Sequence, residues 1–264
     1  MFPVLTKWII FPPWKNTLIE QHFPSINEVF KLKANIISSS AQSEIFSYEL
    51  DGQHYFVKRY FRSMGLGSWF GFSRLRVEAR NQHWFNKMNV PAARVVAYGE
   101  QSFLLKTIKG ILITEGIDNV RDLMDIANHQ SDKFADKAWQ NAIIFQLAHI
   151  TAVLHQNRFC HNDLHWRNIL VQENETDRTP KVFLIDCPSG KRLFWPLLQY
   201  RQLKDLANLD KIAPSYLSRT QRLRFFKQYR QITILSAKDK TMIGDILSHK
   251  TNRIKRKVKQ AARK

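Results

Sequence analysis

One run limits the possible folds more than any other stretch of this chain: His161-Asn162-Asp163-Leu164-His165-Trp166-Arg167-Asn168-Ile169-Leu170. It has the pattern H-x-D-L-x-x-x-N followed by an apolar strand. The spacing has a mechanical reason. A carboxylate must accept or orient the proton of an attacking hydroxyl, while an amide five residues later turns back toward a metal that bridges phosphate groups. Asp163 and Asn168 supply those two groups. Eighteen residues beyond Asn168, Val182-Phe183-Leu184-Ile185-Asp186 reads as a buried strand that ends in a carboxylate, the place for a second metal ligand.

Upstream, Phe56-Val57-Lys58 sets a lysine inside an apolar strand, where a charge is costly unless it is paired. The partner is predicted on the next helix. Leu75, Glu78, Gln82 and Phe85 recur at helical spacing after a Ser73 cap, so Glu78 points inward with the apolar residues. From Val29 to Phe61 the texture is that of strands, with Asp51-Gly52 as a hairpin signal. Arg94 to Ala97, Phe103 to Thr107 and Ile111 to Thr114 read as short strands separated by glycine turns. Past Gly116 the pattern becomes helical, and Trp139, Ala142, Ile143, Leu147, Ile150 and Leu154 form a core-facing stripe. The expected segments are 1–115, a strand-rich lobe with the Glu78 helix; 116–249, a mainly helical lobe with the Asp163 loop; and 250–264, a basic tail.

Charge adds a partner class. Lys and Arg number 41 against 22 Asp and Glu, a net +19, which predicts an anionic partner: nucleic acid, phospholipid or phosphorylated glycan. Eight of those surplus charges sit in residues 250–264, which hold no acid, leaving eleven on the rest. The tail reads either as a solvated helix end or as a docking element for an anionic surface. Two cysteines, Cys160 and Cys187, are too few for a disulfide framework and fit a reducing cytosol. The N-terminal run with Trp8, Ile9, Ile10, Phe11 and Trp14 is too short to span a bilayer. It reads as a strand or loop packed on the domain, or as an interfacial anchor.

Taken in order (strand Lys, helix Glu, H-x-D-L-x-x-x-N, strand Asp), these residues resemble the bacterial lipopolysaccharide core kinases, the group of Kdo and heptose kinases, over roughly Ile36 to Asp210. Further stretches carry the resemblance: Val57-Lys58-Arg59-Tyr60, Asn89-Val90-Pro91-Ala92-Ala93-Arg94-Val95-Val96-Ala97-Tyr98-Gly99, and Lys204-Asp205-Leu206-Ala207. The resemblance implies an α+β, two-lobed protein-kinase-like fold, with a small antiparallel-sheet N-lobe with one helix and a mainly helical C-lobe. It also implies a cytoplasmic enzyme, peripheral on the inner-membrane face, that moves the ATP γ-phosphate to a sugar hydroxyl of a lipid-linked core oligosaccharide. Asp163 would be catalytic, Lys58 and Glu78 would bind ATP, Asn168 and Asp186 would hold Mg2+, and His161 and Asp205 would support the loop. For Asp205 two roles stay open, a brace for the loop or an ordinary acid at a helix start.

The sequence departs from the pattern in three places. No G-x-G-x-x-G precedes Lys58, and Ser38, Ser39 and Ser40 occupy that turn, so the nucleotide cover would rely on hydroxyls and backbone N–H groups. Asn162 replaces the arginine of H-R-D, which removes the partner of a phosphorylated activation loop. Asp186-Cys187-Pro188 replaces D-F-G.

Rival readings are a pseudokinase that binds anionic lipid or nucleic acid, another kinase of the same fold, and a zinc site from Cys160, His161, His165 and Cys187. The aromatics are spread through core-like stripes, so no nucleic-acid partner is expected. Gly65, Gly67 and Gly71 fit no phosphate-loop spacing, and read as a loop whose Trp69, Phe70 and Phe72 pack locally or touch an amphiphilic acceptor.

Overall fold

The computed structural model describes residues 4–33, 35–61, 74–104, 106–173 and 179–261, with side chains as far as 249. The chain forms two compact units. One is Met1–Asp118 together with Asp186–Ser189, and the other is Asn119–Ile185 together with Gly190–Lys264.

The first unit holds β1 (Leu5–Ile10), α1 (Leu18–His22), α2 (Ile26–Lys31), β2 (Ile36–Ser39), β3 (Ser43–Leu50), β4 (Gln53–Tyr60), α3 (Arg74–Lys87), β5 (Val95–Phe103) and β6 (Lys106–Glu115). The strands make one antiparallel sheet in the order β1-β5-β6-β4-β3-β2. Asp51 and Gly52 close the β3–β4 hairpin as a two-residue turn between paired Leu50 and Gln53. Both have positive φ, 52° and 73°, as a type I′ turn demands. The N-terminal run is an edge strand, β1, paired along β5.

Alternation along β4 divides the sheet into two faces. Tyr55 and Val57 point into a core with Phe46, Ile111 and Ile113, closed by Ile19, Phe23, Ile26 and Val29 from α1 and α2. Lys58 and Tyr60 point to the other face, where Leu75 of α3 packs with Tyr60, Val95, Tyr98 and Leu112. Lys58 is thus the polar position on the face that α3 covers.

Two details differ from the sequence-based expectation. Residues 94–114 form two long strands rather than three short ones, because Gly99 and Gly110 lie inside the ladder rather than at turns. A Cβ on Gly99 would overlap the Trp8 ring, and one on Gly110 would overlap the Leu75 side chain. These glycines give room, not a bend. The other difference is α1 and α2, capped by Thr17 and Ser25, which accept from the N–H groups of Ile19 and Glu28 at 3.3 Å. Val29 is therefore helical. Ser73 and residues 65–72, with their glycines and aromatics, lie outside the described residues.

The second unit holds β7 (Val120–Asp122), α4 (Leu123–His129), α5 (Lys137–Gln156), β8 (Phe159–Cys160), β9 (Ile169–Gln172), β10 (Lys181–Leu184), β11 (Lys191–Arg192), α6 (Leu197–Asp210), α7 (Arg219–Arg230) and α8 (Ala237–Ala261). Asp136 caps α5, its carboxylate accepting from Ala138 and Trp139 N–H. Ser218 and Gln221 close a reciprocal capping box on α7. The buried stripe of α5 includes Trp139, Ile143, Leu147, Ile150 and Leu154. Two small sheets, β10-β9-β7 and β11-β8, flank the Asp163 loop in sequence. Register between β9 and β10 pairs Leu184 with Ile169, and Ile185 N–H donates to Asn168 O at 3.1 Å. Among the described residues no helix is long and apolar enough to cross a membrane.

Candidate active site

In the first unit, three charges converge. Lys58 Nζ donates to both carboxylate oxygens of Glu78, at 2.9 and 3.0 Å, and to Asp186 Oδ1 at 3.1 Å. The lysine side chain is 16% exposed and that of Glu78 9%, so the pair is shielded from solvent, while Asp186 at 46% is open to it. Burial alone would lower the Lys58 pKa, but the carboxylates of Glu78 and Asp186 outweigh it and hold the group above the ordinary lysine value. Lys58 is a cation. The Tyr60 hydroxyl donates to Glu78 as well, and burial, then Glu78, pushes its pKa up, so it stays a donor.

Asp186 sits at φ +55°, a left-handed conformation that aspartate tolerates better than most residues. Its segment is held by α3: Asn81 Nδ2 donates to Cys187 O at 2.8 Å. One helix therefore carries both the partner of Lys58 and the anchor of the Asp186 segment.

In the second unit the Asp163 loop folds on itself. Asn168 Nδ2 donates to Asp163 O at 2.8 Å and to its carboxylate Oδ2 at 3.1 Å. With the amide nitrogen used twice, the Asn168 Oδ1 atom is the one left for a cation. His165 Nε2 lies 3.3 Å from Asp163 Oδ1, and Arg167 lies 3.4 Å from Oδ2. Burial holds His165 below the ordinary histidine range although Asp163 pulls the other way, so the ring is neutral at neutral pH.

The loop is suspended from a helix. Asp205, in the body of α6 and fully buried, accepts from the backbone N–H groups of His161 at 2.8 Å and Asn162 at 2.9 Å. It is not at a helix start. Lys204 Nζ donates to Asn162 O at 3.1 Å, and Asn162 takes φ +66°. Behind Asp205, His155 Nε2 lies 3.5 Å from Oδ2, and its Nδ1 meets the Tyr229 hydroxyl at 2.9 Å. His161 is fully buried.

The serines sit at the sheet edge. Register runs Ser38, Ile45, Lys58 across β2, β3 and β4, so Ser38 shares the Lys58 face about 10 Å away, two strand spacings. Ser39 points to the opposite face. Ser40 Oγ accepts from Ser43 N–H at 3.1 Å and Gln42 N–H at 3.3 Å, and so locks its own turn. Among the described residues the group able to share a metal is His155, Cys160 and Asp205, which contains none of His161, His165 or Cys187.

A model of the lipopolysaccharide kinase (Kdo/WaaP) family matches residues 31–229. This chain belongs to that family. Two curated relatives of the lipopolysaccharide kinase chain are similar to it, both 3-deoxy-D-manno-octulosonic acid kinases. The one from Actinobacillus succinogenes is 26% identical over 136 residues, which is 50% of this chain and 51% of that protein. The one from Mannheimia succiniciproducens is 25% identical over 226 residues, 78% of this chain and 84% of that protein. Among solved structures, WaaP in complex with acyl carrier protein superposes with a TM-score of 0.69 at 19% identity, covering 95% of this chain and 98% of that one. The fold is thus the kinase-like α+β fold that the sequence predicts, and family membership makes the chain a phosphotransferase whose acceptor is a sugar hydroxyl.

Sequence reasoning passed over Tyr60, Asn81, His155 and Tyr229. Asn81 had a signal, since it falls three residues after Glu78 on the inward face of α3. The other three read as ordinary core aromatics or a helix histidine.

Proposed function

We propose that this lipopolysaccharide kinase transfers the γ-phosphate of ATP to a hydroxyl of Kdo or heptose in a lipid-linked inner core, at the cytoplasmic face of the inner membrane. The observation that carries this reading is the Lys58–Glu78–Asp186 cluster, an aligned cation in the same chain as the self-braced Asp163–Asn168 loop. Two relatives named for Kdo favour that sugar over heptose.

Lys58, oriented by Glu78, holds the phosphates. Asp163 orients the acceptor hydroxyl and takes its proton as the new O–P bond forms and the bond to the departing ADP breaks. Asn168 Oδ1 and the Asp186 carboxylate are hard oxygen donors of the kind Mg2+ prefers, and the ion when bound neutralises developing phosphate charge. Ser38 offers its hydroxyl on the Lys58 face, whereas Ser39, facing the other way, and Ser40, whose hydroxyl locks its own turn, offer the nucleotide only backbone groups.

The helical unit also contains an apolar cavity of about 530 Å³ lined by Ile143, Leu147, Trp166, Leu206, Phe226 and Ile246, among others. Its volume is that of a small-molecule site. An acyl chain fits its lining, and the superposed structure is a complex with acyl carrier protein. We assign it to an acyl chain presented by such a carrier or by the lipid acceptor.

The test is magnesium-dependent ADP release with Kdo-lipid A as acceptor. Asp163→Ala is expected to lower kcat by at least about 100-fold, the scale of a lost general base, with the fold intact by circular dichroism. ATP turnover absent from wild-type protein, or unchanged in Asp163→Ala, would favour a binding-only pseudokinase.

A further inference from the structure

After the buried Leu193, the chain turns its largest apolar side chains outward. Phe194 is 71% exposed and Trp195 74%, and Leu197 and Tyr200 in the first turn of α6 are 44% and 46% exposed. Scattered exposed apolar residues are ordinary, but four within seven positions form a patch.

Its surroundings are positive. The Arg158 guanidinium lies 5.6 Å from the Phe194 ring, and that of Arg201 lies 5.9 Å from the Tyr200 ring. Lys191 and Arg192 on β11, both exposed, immediately precede it. From Cys187 to Lys204 there is no acidic residue. On the far side, the Tyr200 ring meets the His249 ring at 6.3 Å. His249 stands on α8 directly before the stretch 250–264 with its eight basic residues, and no acid occurs from Ile246 onward. The patch is therefore bordered by the cations Lys191 and Arg192 on β11 and by Arg158 and Arg201.

We propose that Phe194, Trp195, Leu197 and Tyr200 form a docking surface for an anionic phospholipid bilayer. The apolar side chains enter the interface, where tryptophan is favoured, while Lys191, Arg192, Arg158 and Arg201 meet the head groups. A protein partner would need no cationic border on two sides, and a second copy of this chain would set like charges against each other. This surface deepens the proposed function by naming the partner that brings a lipid-linked acceptor within reach.

The experiment is co-sedimentation of the full chain with vesicles, in the absence of nucleotide and acceptor. One set is phosphatidylcholine alone and the other contains phosphatidylglycerol. Wild-type protein is expected to bind the anionic vesicles and to release as salt rises. Phe194→Ser with Trp195→Ser is expected to weaken binding about tenfold or more, the loss of burial of a large aromatic. Lys191→Glu with Arg192→Glu is expected to weaken it and flatten the salt dependence. Lipid-borne bromine is expected to quench wild-type fluorescence more than that of Trp195→Phe. Equal binding to both vesicle types, or undiminished binding by the Phe194/Trp195 double variant, overturns the proposal. So does a vesicle-independent dimer lost in that variant, which would assign the patch to self-association. Vesicle binding without ATP turnover would sink the kinase reading and leave this one standing, and turnover without vesicle binding would do the reverse.

Discussion

Asp205 shows how much of the site hangs on single buried groups. A carboxylate is acceptor-only, so its nearness asks for the His155 proton on Nε2, which makes Nδ1 the acceptor of the Tyr229 hydroxyl. Tyr229→Phe would strand that buried nitrogen at a cost of about 1–2 kcal/mol. The expected outcome is a matching loss in urea unfolding and a several-fold lower kcat with KM little changed; an unaltered kcat would confine His155 and Tyr229 to a packing role. Beside them, burial first and Asp205 second push the Cys160 thiol from 9.0 up to about 12. Its folded pKa is raised, so the thiol contributes stability that is whole below pH 9 and lost as pH climbs through the window from 9 to about 12. Native protein at pH 8 should therefore resist iodoacetamide at Cys160 and react there only in denaturant, as mass spectrometry of the labelled peptide would read. Residues of this kind were the hardest to foresee. Lys58 announces itself because a charge in an apolar strand demands a partner, whereas a buried histidine or tyrosine in a stripe looks like any core position.

At the scale of elements, the β3–β4 hairpin was legible because Asp-Gly can take two positive φ angles that few residue pairs accept. The α5 and α3 stripes were legible for a similar reason, being long enough to show their period. Helices α1 and α2 span five and six residues, less than two turns, and their only sequence mark was a capping Thr or Ser. Gly99 and Gly110 misled because glycine serves both for backbone freedom and for bare space, and a linear pattern does not separate the two. The second use gives a direct test. Gly110→Ala should destabilise the protein by about 1–3 kcal/mol through overpacking against Leu75. Leu75→Ala should also destabilise it alone, yet the double variant should lose clearly less than the two summed, as a double-mutant cycle in urea would measure. Additive losses would mean that the strand, not Leu75, resists the extra methyl.

Over the whole molecule, the charge imbalance was plain from composition, but its sense depends on placement. Eight of nineteen surplus charges are at one end of the chain, and the aromatic patch at 194–200 abuts the helix that leads there. Composition could name an anionic partner without choosing one, because the exposure of Phe194 and Trp195 is a property of the folded surface. If the surface steers a lipid-linked acceptor, KM for that acceptor should rise between low and physiological salt, where screening shortens to about 8 Å, while KM for a deacylated sugar acceptor should rise less. Parallel rises for both would place the salt effect at the sugar rather than at the lipid surface.

The first unit takes Asp186–Ser189 from far along the chain. A gene fragment ending at Asp118 would therefore encode every strand of the large sheet and still leave Lys58 with Glu78 as its only carboxylate partner of the two. Neither unit is a single continuous stretch of chain, so an engineer who wishes to transplant the first one whole must carry those four residues along with the stretch that ends at Asp118.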